Sequence, residues 1–437
     1  MTPGARLQAA IELLDEIARA ESPADVVIGR WARGHRYAGG GDRRAIRDLV
    51  YGAIRHRRQV EWWVERSGAP VDSRSTLIVV LCLIVRQEPA AVMGAFDGGR
   101  YCPAPLSGPE GRLLESLAEM TLDDPAQPPD VRANVPAWLM ARLEEAFGAE
   151  TGAALDALAR EAPVDLRVNT LKATRAEVAE VLAADGIDAV ETPMSPLGLR
   201  LAGRVPLAAS RAWRDGLVDL QDEGSQIVAL VADAKPGQQV VDYCAGAGGK
   251  ALALAAAMND EGRIVACDTA AARLRRGRER LRRAGVRIVE EHVIGTDDAA
   301  WRVENAGRFE RVLVDAPCSG SGAWRRSPEA KWRLTEAELV ALCDLQDRLL
   351  DEAAELVAVG GRLIFATCSV LRCENEARIA AFRERDPRFT PVPVERICGE
   401  ILPGAADAED AEEGVLKLTP HRHGTDGFFA AVLERRR

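Results

Sequence analysis

VVDYCAGAGGKALALAA, residues 240–256, decides the fold. An apolar run of strand type enters a turn carrying Gly246, Gly248 and Gly249 and leaves as a helix rich in alanine and leucine. Glycine in such a turn lets backbone N–H groups approach a ligand closely, and the helix start favours a carboxylate or phosphate. Further apolar strands are expected at Arg263 to Cys267, Arg311 to Val314 and Arg362 to Ala366, each ending in a polar or glycine-rich turn with helical sequence between them. Strands alternating with helices specify a parallel sheet covered on both faces, whose ligands sit beyond the carboxyl ends of the strands. The expected class is α/β with a Rossmann-like domain over residues 216–437.

The strand-end turns hold the candidate chemistry. Asp268 ends the second strand, about 20 residues past the glycines, where a carboxylate accepts hydrogen bonds from ribose hydroxyls. The glycines do not follow GxGxxG, so an adenosyl ligand without pyrophosphate fits better than a dinucleotide. The third strand runs into VLVDAPCSGSGAWRRSPEAKW, from Val312, and the fourth into LIFATCSVLRCENE, from Leu363. Pro317 stiffens the turn that presents Cys318, and Cys368 ends the neighbouring strand, so two thiols should converge on one crevice. A free thiol has a pKa near ~8.5, so ionisation needs positive neighbours, for which Arg325, Arg326 and Lys331 are candidates, phosphate contact being an equally good role for them. Cys373 lies five residues past Cys368 with no second pair or nearby histidine, so no metal is expected.

DYCAGAGGKA resembles the cofactor loop of the Nop/Sun-type RNA (cytosine-5) methyltransferases, with Ala247 and Ala251 where that family has Pro and Thr. LRVNTLKATR from Leu166, QDEGSQ from Gln221, GAWRRSPEAKW from Gly322 and DGFF from Asp426 resemble the same family in order, so the likeness spans most of the chain. It implies a class I domain binding S-adenosyl-L-methionine through Cys244, Ala245, Gly246, Ala247, Gly248, Gly249, Lys250 and Asp268, with Asp297 and Asp315 completing the pocket. The family's nucleophile motif is similar to TCS at 367–369 and its second-cysteine motif to DAPCSGSG at 315–322, implying Cys368 as nucleophile, Cys318 as the releasing residue and Asp315 as a group on the base. DNA cytosine methyltransferases use the Pro-Cys cysteine as nucleophile instead, and amino-group methyltransferases carry an Asn/Asp-Pro-Pro-aromatic turn absent here. The implied substrate is a single-stranded or loop cytosine, in 16S rRNA, with transfer RNA or a non-catalytic assembly role as alternatives.

Outside this domain, residues 1–130 show helical periodicity and resemble a NusB-like RNA-binding domain, while 137–215 read as a small α+β unit. DDPAQPPDVRANVP (123–136) breaks both periodicities and is the linker candidate. The 437 residues are too many for one core, and 47% hydrophobic with 28% charged residues describes an ordinary well-cored protein. The run Leu77 to Val85 is about half the ~20 residues needed to cross a bilayer and reads as a buried helix. Nine scattered cysteines and an amphipathic start indicate reduced thiols and a cytoplasmic protein, with no obligate protein partner evident. A net charge of −10 argues against nonspecific coating of nucleic acid, so RNA contact must come from local clusters such as the arginines between 273 and 283. The tryptophans 62, 63, 213 and 301 suit core packing better than base stacking. The closing GFFAAVLER is expected as the final strand.

Overall fold

The computed structural model describes residues 1–203, 205–295, 298–394, 396–397 and 414–437. The chain divides into two compact units, Met1–Arg160 with Trp324–Leu334, and Glu161–Ala323 with Thr335–Arg437.

The first unit is helical. Its opening helix, Pro3–Arg19, has proline in the first turn and a Thr2 hydroxyl accepting from Ala5 N, and it buries Leu7, Ala10, Leu13 and Ile17. The apolar run at 77–85 forms the helix Ser73–Val79, capped by Asp72, and a π-helical turn Val80–Ile84, with Leu77 to Val80 fully buried. The proline-rich stretch after it is held rather than loose. Gln59 donates to Asp123 at 2.6 Å, Trp63 to the Leu122 carbonyl at 3.1 Å, and Asn134 accepts from Gln59 N at 3.2 Å. The unit runs on through the helices Met140–Phe147 and Thr151–Ala159, so the compact boundary falls at 160/161, where Arg55 donates to the carbonyls of Ala159 and Arg160. Residues 324–334, which follow the Cys318 turn in sequence, also belong here: Trp332 donates to the Ile54 carbonyl and Arg333 to those of Glu21 and Ser22.

The second unit holds two sheets. Strands β1 (Val164–Val168), β2 (Ala189–Glu191), β3 (Gly198–Leu201) and β4 (Val218–Leu220) form an antiparallel sheet in the order β2-β3-β1-β4. The helix Arg175–Ala184 packs Val178 and Leu182 into that sheet's core. The large sheet contains β5 (Gln239–Asp242), β6 (Arg263–Asp268), β7 (Val289–Val293), β8 (Phe309–Asp315), β9 (Val357–Thr367), β10 (Phe389–Pro391), β11 (Val415–Leu418) and β12 (Phe428–Arg435). Its order is β10-β12-β9-β8-β5-β6-β7, with β11 also on β12. The four strands expected from sequence are all present. The final strand expected at GFFAAVLER is β12. It runs antiparallel between β9 and β10, because Phe429 to Leu433 are apolar on both faces and need cover on each.

From β5 the chain first goes to β6 and β7, then returns to β8 on the opposite side of β5. The sheet order thus reverses at β5, and a doubly wound sheet opens its ligand crevice there, at the carboxyl ends of the strands.

Candidate active site

Every turn singled out in the sequence, apart from Asp297, which lies outside the described residues, ends on this edge. Gly246 and Gly248 adopt left-handed φ values of 57° and 76°, conformations that only glycine takes without strain. The turn then enters the helix Gly249–Ala257. Asp268 receives Gly246 N at 3.0 Å on one oxygen and Ala270 N at 2.7 Å on the other, and so pins the glycine turn to the end of β6.

The turn is also held from behind by side chains that the sequence did not identify. Arg280 donates to the Ala247 carbonyl at 2.9 Å, and Arg167, buried on β1, donates to that of Gly249 at 3.1 Å. Burial lowers the Arg167 pKa to about 10, against the pull of Asp219. Asp219 on β4 takes Arg280 at 2.7 Å and Arg283 at 3.2 Å, so the small sheet braces the loop. Most of the arginine-rich helix is spent in this way, with Arg278 on Glu291, Arg282 on Glu279 and Arg273 within 3.6 Å of Asp268. The tryptophans pack as expected: Trp213 lies under the Arg283 guanidinium at 3.6 Å, and Trp301 stacks on His292 at 4.2 Å.

Gly277 passes directly beneath the turn. A Cβ there would lie 3.2 Å from the Ala247 carbonyl oxygen. Gly277→Ala should gain up to about 1 kcal/mol of helix propensity while pushing the turn outward. Affinity for S-adenosylmethionine is expected to fall about tenfold by calorimetric titration, with no loss of thermal stability.

The two thiols meet. Asp315 ends β8 opposite Ala366 of β9, which sets the following turns side by side and leaves Cys318 Sγ 3.5 Å from Cys368 Sγ. The hydrogen bond with Cys368, then burial, holds the Cys318 thiol well above its usual range. Lys250 is buried, donates to Asp315 at 2.6 Å and lies 5.6 Å from the Phe428 ring. Its pKa is raised, since the nearby charges of Asp315, Asp242 and Cys368 outweigh its burial. Lys250 of the glycine turn thus places a cation beside the thiols. Arg325, Arg326 and Lys331 fold into the helical unit, where burial and Arg55 lower the Lys331 pKa to about 7.

Beneath the thiols sits a buried carboxylate. Glu374 accepts from Ser319 N at 2.8 Å, from Gln346 Nε2 at 3.1 Å and from the hydroxyls of Ser319 and Ser369. It thereby ties the residue after Cys318 to the residue after Cys368. Ser321 closes the same network, accepting from Val370 N at 2.9 Å, and Gly322 N donates to the Cys368 carbonyl at 2.9 Å. The signal was present in CENE at 373–376, whose acids are unusual beside a buried strand end.

Asp242 is fully buried at the end of β5, and among the described residues no side chain hydrogen-bonds its carboxylate. Burial, helped by Asp315 and opposed by Lys250, raises its pKa to about 7. A carboxyl raised above its unfolded value stabilises the fold below about pH 4 and loses that contribution as pH rises to about 7. Asp242→Asn should flatten this part of the stability–pH profile and raise the urea midpoint at pH 8.

The doubly wound sheet with a glycine turn at its switch point and a ribose-type aspartate on the next strand defines a Rossmann-like methyltransferase domain. Residues 229–434 match the model described as 16S rRNA methyltransferase RsmB/F, and residues 135–208 the RsmF/B-like ferredoxin-like domain. Probable ribosomal RNA small subunit methyltransferase B of Synechocystis sp. is 30% identical across 98% of this chain and 99% of its own length. The protein of the same name from Bacillus subtilis is 32% identical over 72% and 69%. Among solved structures, PH0851 is 28% identical with a TM-score of 0.81, covering 100% of this chain and 99% of its own. A methyltransferase homolog from Pyrococcus horikoshii is 26% identical with a TM-score of 0.60, covering 70% and 97%. The chain belongs to the RsmB/F methyltransferase family. Its cofactor is S-adenosyl-L-methionine, and the residues fit that group: a turn free of side chains at Gly246 and Gly248, the Asp268 carboxylate at the end of the next strand, and the buried Asp242 carboxyl at the end of β5. Among the described residues no helix is long and apolar enough to cross a membrane.

Proposed function

We propose that this protein forms 5-methylcytosine in 16S ribosomal RNA in the cytoplasm, with Cys368 as covalent nucleophile and Cys318 as the releasing residue. The observation that carries this reading is the pair of sulfurs 3.5 Å apart beside the Lys250–Asp315 ion pair. S-adenosylmethionine, when bound, supplies an electrophilic methyl group on a sulfonium.

Carbon 5 of cytosine is a weak nucleophile, and adding a thiolate to C6 turns C5 into the reactive carbon of an enamine. Of the two thiols, Cys318 is the one whose proton is held, by the hydrogen bond with Cys368 and by burial, which leaves Cys368 as the attacking sulfur, with the Lys250 ammonium close by. The Asp315 carboxylate, oriented by Lys250, is placed to accept a hydrogen bond from the exocyclic amine and so orient the base. Once Cys368 is a thioether, the hydrogen bond that helped hold the proton on Cys318 is gone, and Cys318 can lose that proton to solvent. It then takes the C5 proton, the C6–sulfur bond breaks, and the product leaves.

A base stacked in a helix is out of reach of these sulfurs, so the substrate is an unpaired or flipped cytosine. Bisulfite sequencing of total RNA from a deletion strain tests the assignment. One 16S position should lose its methyl mark and regain it on complementation, whereas loss confined to transfer RNA would overturn the ribosomal reading.

A further inference from the structure

We infer that the helical unit carries a binding site for an unpaired RNA base, in a cleft of about 750 Å³ between the helices Pro3–Arg19 and Ala24–Gly34 and the loop around Tyr101. The inference rests on the RNA-substrate reading above and adds a second point of RNA contact to it.

Three observations support it. The first is aromatic. Tyr37 and Tyr101 line the cleft with 71% and 68% of their surface exposed, unusual for large rings. His35 stacks on Trp31 at 4.5 Å and meets Tyr37 edge-on at 5.7 Å, and the Arg100 guanidinium lies 4.9 Å from the Tyr101 ring. Ring faces with an adjacent guanidinium make the platform on which nucleobases stack in single-strand binding proteins.

The second is charge. The chain is acidic overall, yet residues 30–47 contain six arginines and one aspartate. Arg33, Arg36, Arg43 and Arg44 are exposed, and among the described residues none of them is seen paired with a carboxylate. Exposed, uncompensated arginines in the segment that carries His35 and Tyr37, together with Arg100 in the cleft itself, suit a phosphate backbone. An acidic or apolar partner surface would leave either the rings or the arginines unexplained.

The third concerns the kind of base. Gln8 and Glu12 line the cleft, and Gln8 Nε2 donates to Glu12 Oε1 at 2.9 Å. A carboxylate next to a stacked base accepts from an exocyclic amine and opposes a carbonyl. Bases with an amino group, adenine or cytosine, are therefore favoured over uracil.

The test uses the full-length protein at low salt with fluorescein-labelled hexa-adenylate and hexa-uridylate. Hexa-adenylate should bind more tightly than hexa-uridylate. Replacing both rings (Tyr37→Ala with Tyr101→Ala) should weaken hexa-adenylate binding by tenfold or more, at roughly the worth of one stacked base. The paired phenylalanine variant should stay within about twofold, because a ring without the hydroxyl still stacks. Ultraviolet cross-linking should attach hexa-adenylate to Tyr37 or Tyr101. In methyl transfer to 16S rRNA the alanine pair should raise KM and spare kcat. Both tyrosines are exposed, so an unchanged melting temperature certifies the fold. Unchanged hexa-adenylate affinity in the alanine pair overturns the site and is also the result expected of a cleft that holds a protein segment. A tyrosine-dependent affinity in a protein that does not methylate 16S rRNA supports the site and overturns the function proposed above.

Discussion

Cys368→Ser is expected to abolish methyl transfer, with a loss of at least about 10⁴-fold, because a nucleophile that acts as part of a unit is not replaced by its neighbours. Cys318→Ala should behave differently although its sulfur is only 3.5 Å away. Addition to C6 and methylation at C5 should still proceed, but the C5 proton has no acceptor, so the adduct cannot collapse. The protein should accumulate as a covalent RNA complex, visible as a retarded band on denaturing gels and dependent on S-adenosylmethionine. The double variant Cys318→Ala with Cys368→Ser should show no such band. Normal turnover by Cys318→Ala without an adduct would remove the release role, and an adduct surviving in Cys368→Ser would reverse the two assignments.

The second large effect is expected at Glu374, which touches neither proposed substrate nor cofactor. Glu374→Ala leaves Ser319 N, two serine hydroxyls and the Gln346 amide buried without their acceptor. Each orphaned group costs about 1–3 kcal/mol, so a destabilisation on the order of 4 kcal/mol is expected from urea unfolding. The chemical consequence follows from geometry, since Glu374 spans the turns of both cysteines. A displacement of about 1 Å between reacting groups costs about 10²-fold in rate. Glu374→Gln keeps the shape but turns one acceptor oxygen into a donor facing hydroxyls and N–H groups, and it should recover stability better than kcat. Equal losses of kcat from Cys318 and Cys368 chemistry, read as slower adduct formation and slower release, would mark Glu374 as a positioning residue. A stability loss with kcat unchanged would make it structural only.

The extent to which this protein was legible from its chain differs between backbone and side chains. The doubly wound sheet was readable because strands buried on both faces appear as continuous apolar runs, and Gln239–Asp242 and its three companions stood where those runs end. The two thiol turns were readable because proline and glycine punctuate strand ends. The place of Phe428–Arg435 inside the sheet was not, because an apolar strand states that it is buried and not beside which neighbours. The packing of the stretch 123–136 was hidden for a related reason: it looks like a loose linker in sequence, yet Gln59 and Trp63 hold its start to the helical unit.

By itself, then, the sequence determined local matters: which segments are strands, where glycine frees the backbone, and which turns carry sulfur and carboxylate. Tertiary structure alone decided the pairings. It set Lys250 beside the thiols, spent Arg280 and Arg283 on Asp219, and placed Glu374 under both cysteines. The physical reason is that propensity and periodicity act over a few residues, whereas a charge or hydrogen bond acts on whatever lies within a few ångströms. Residues 65 apart, such as Lys250 and Asp315, become neighbours only when the strands carrying them line up.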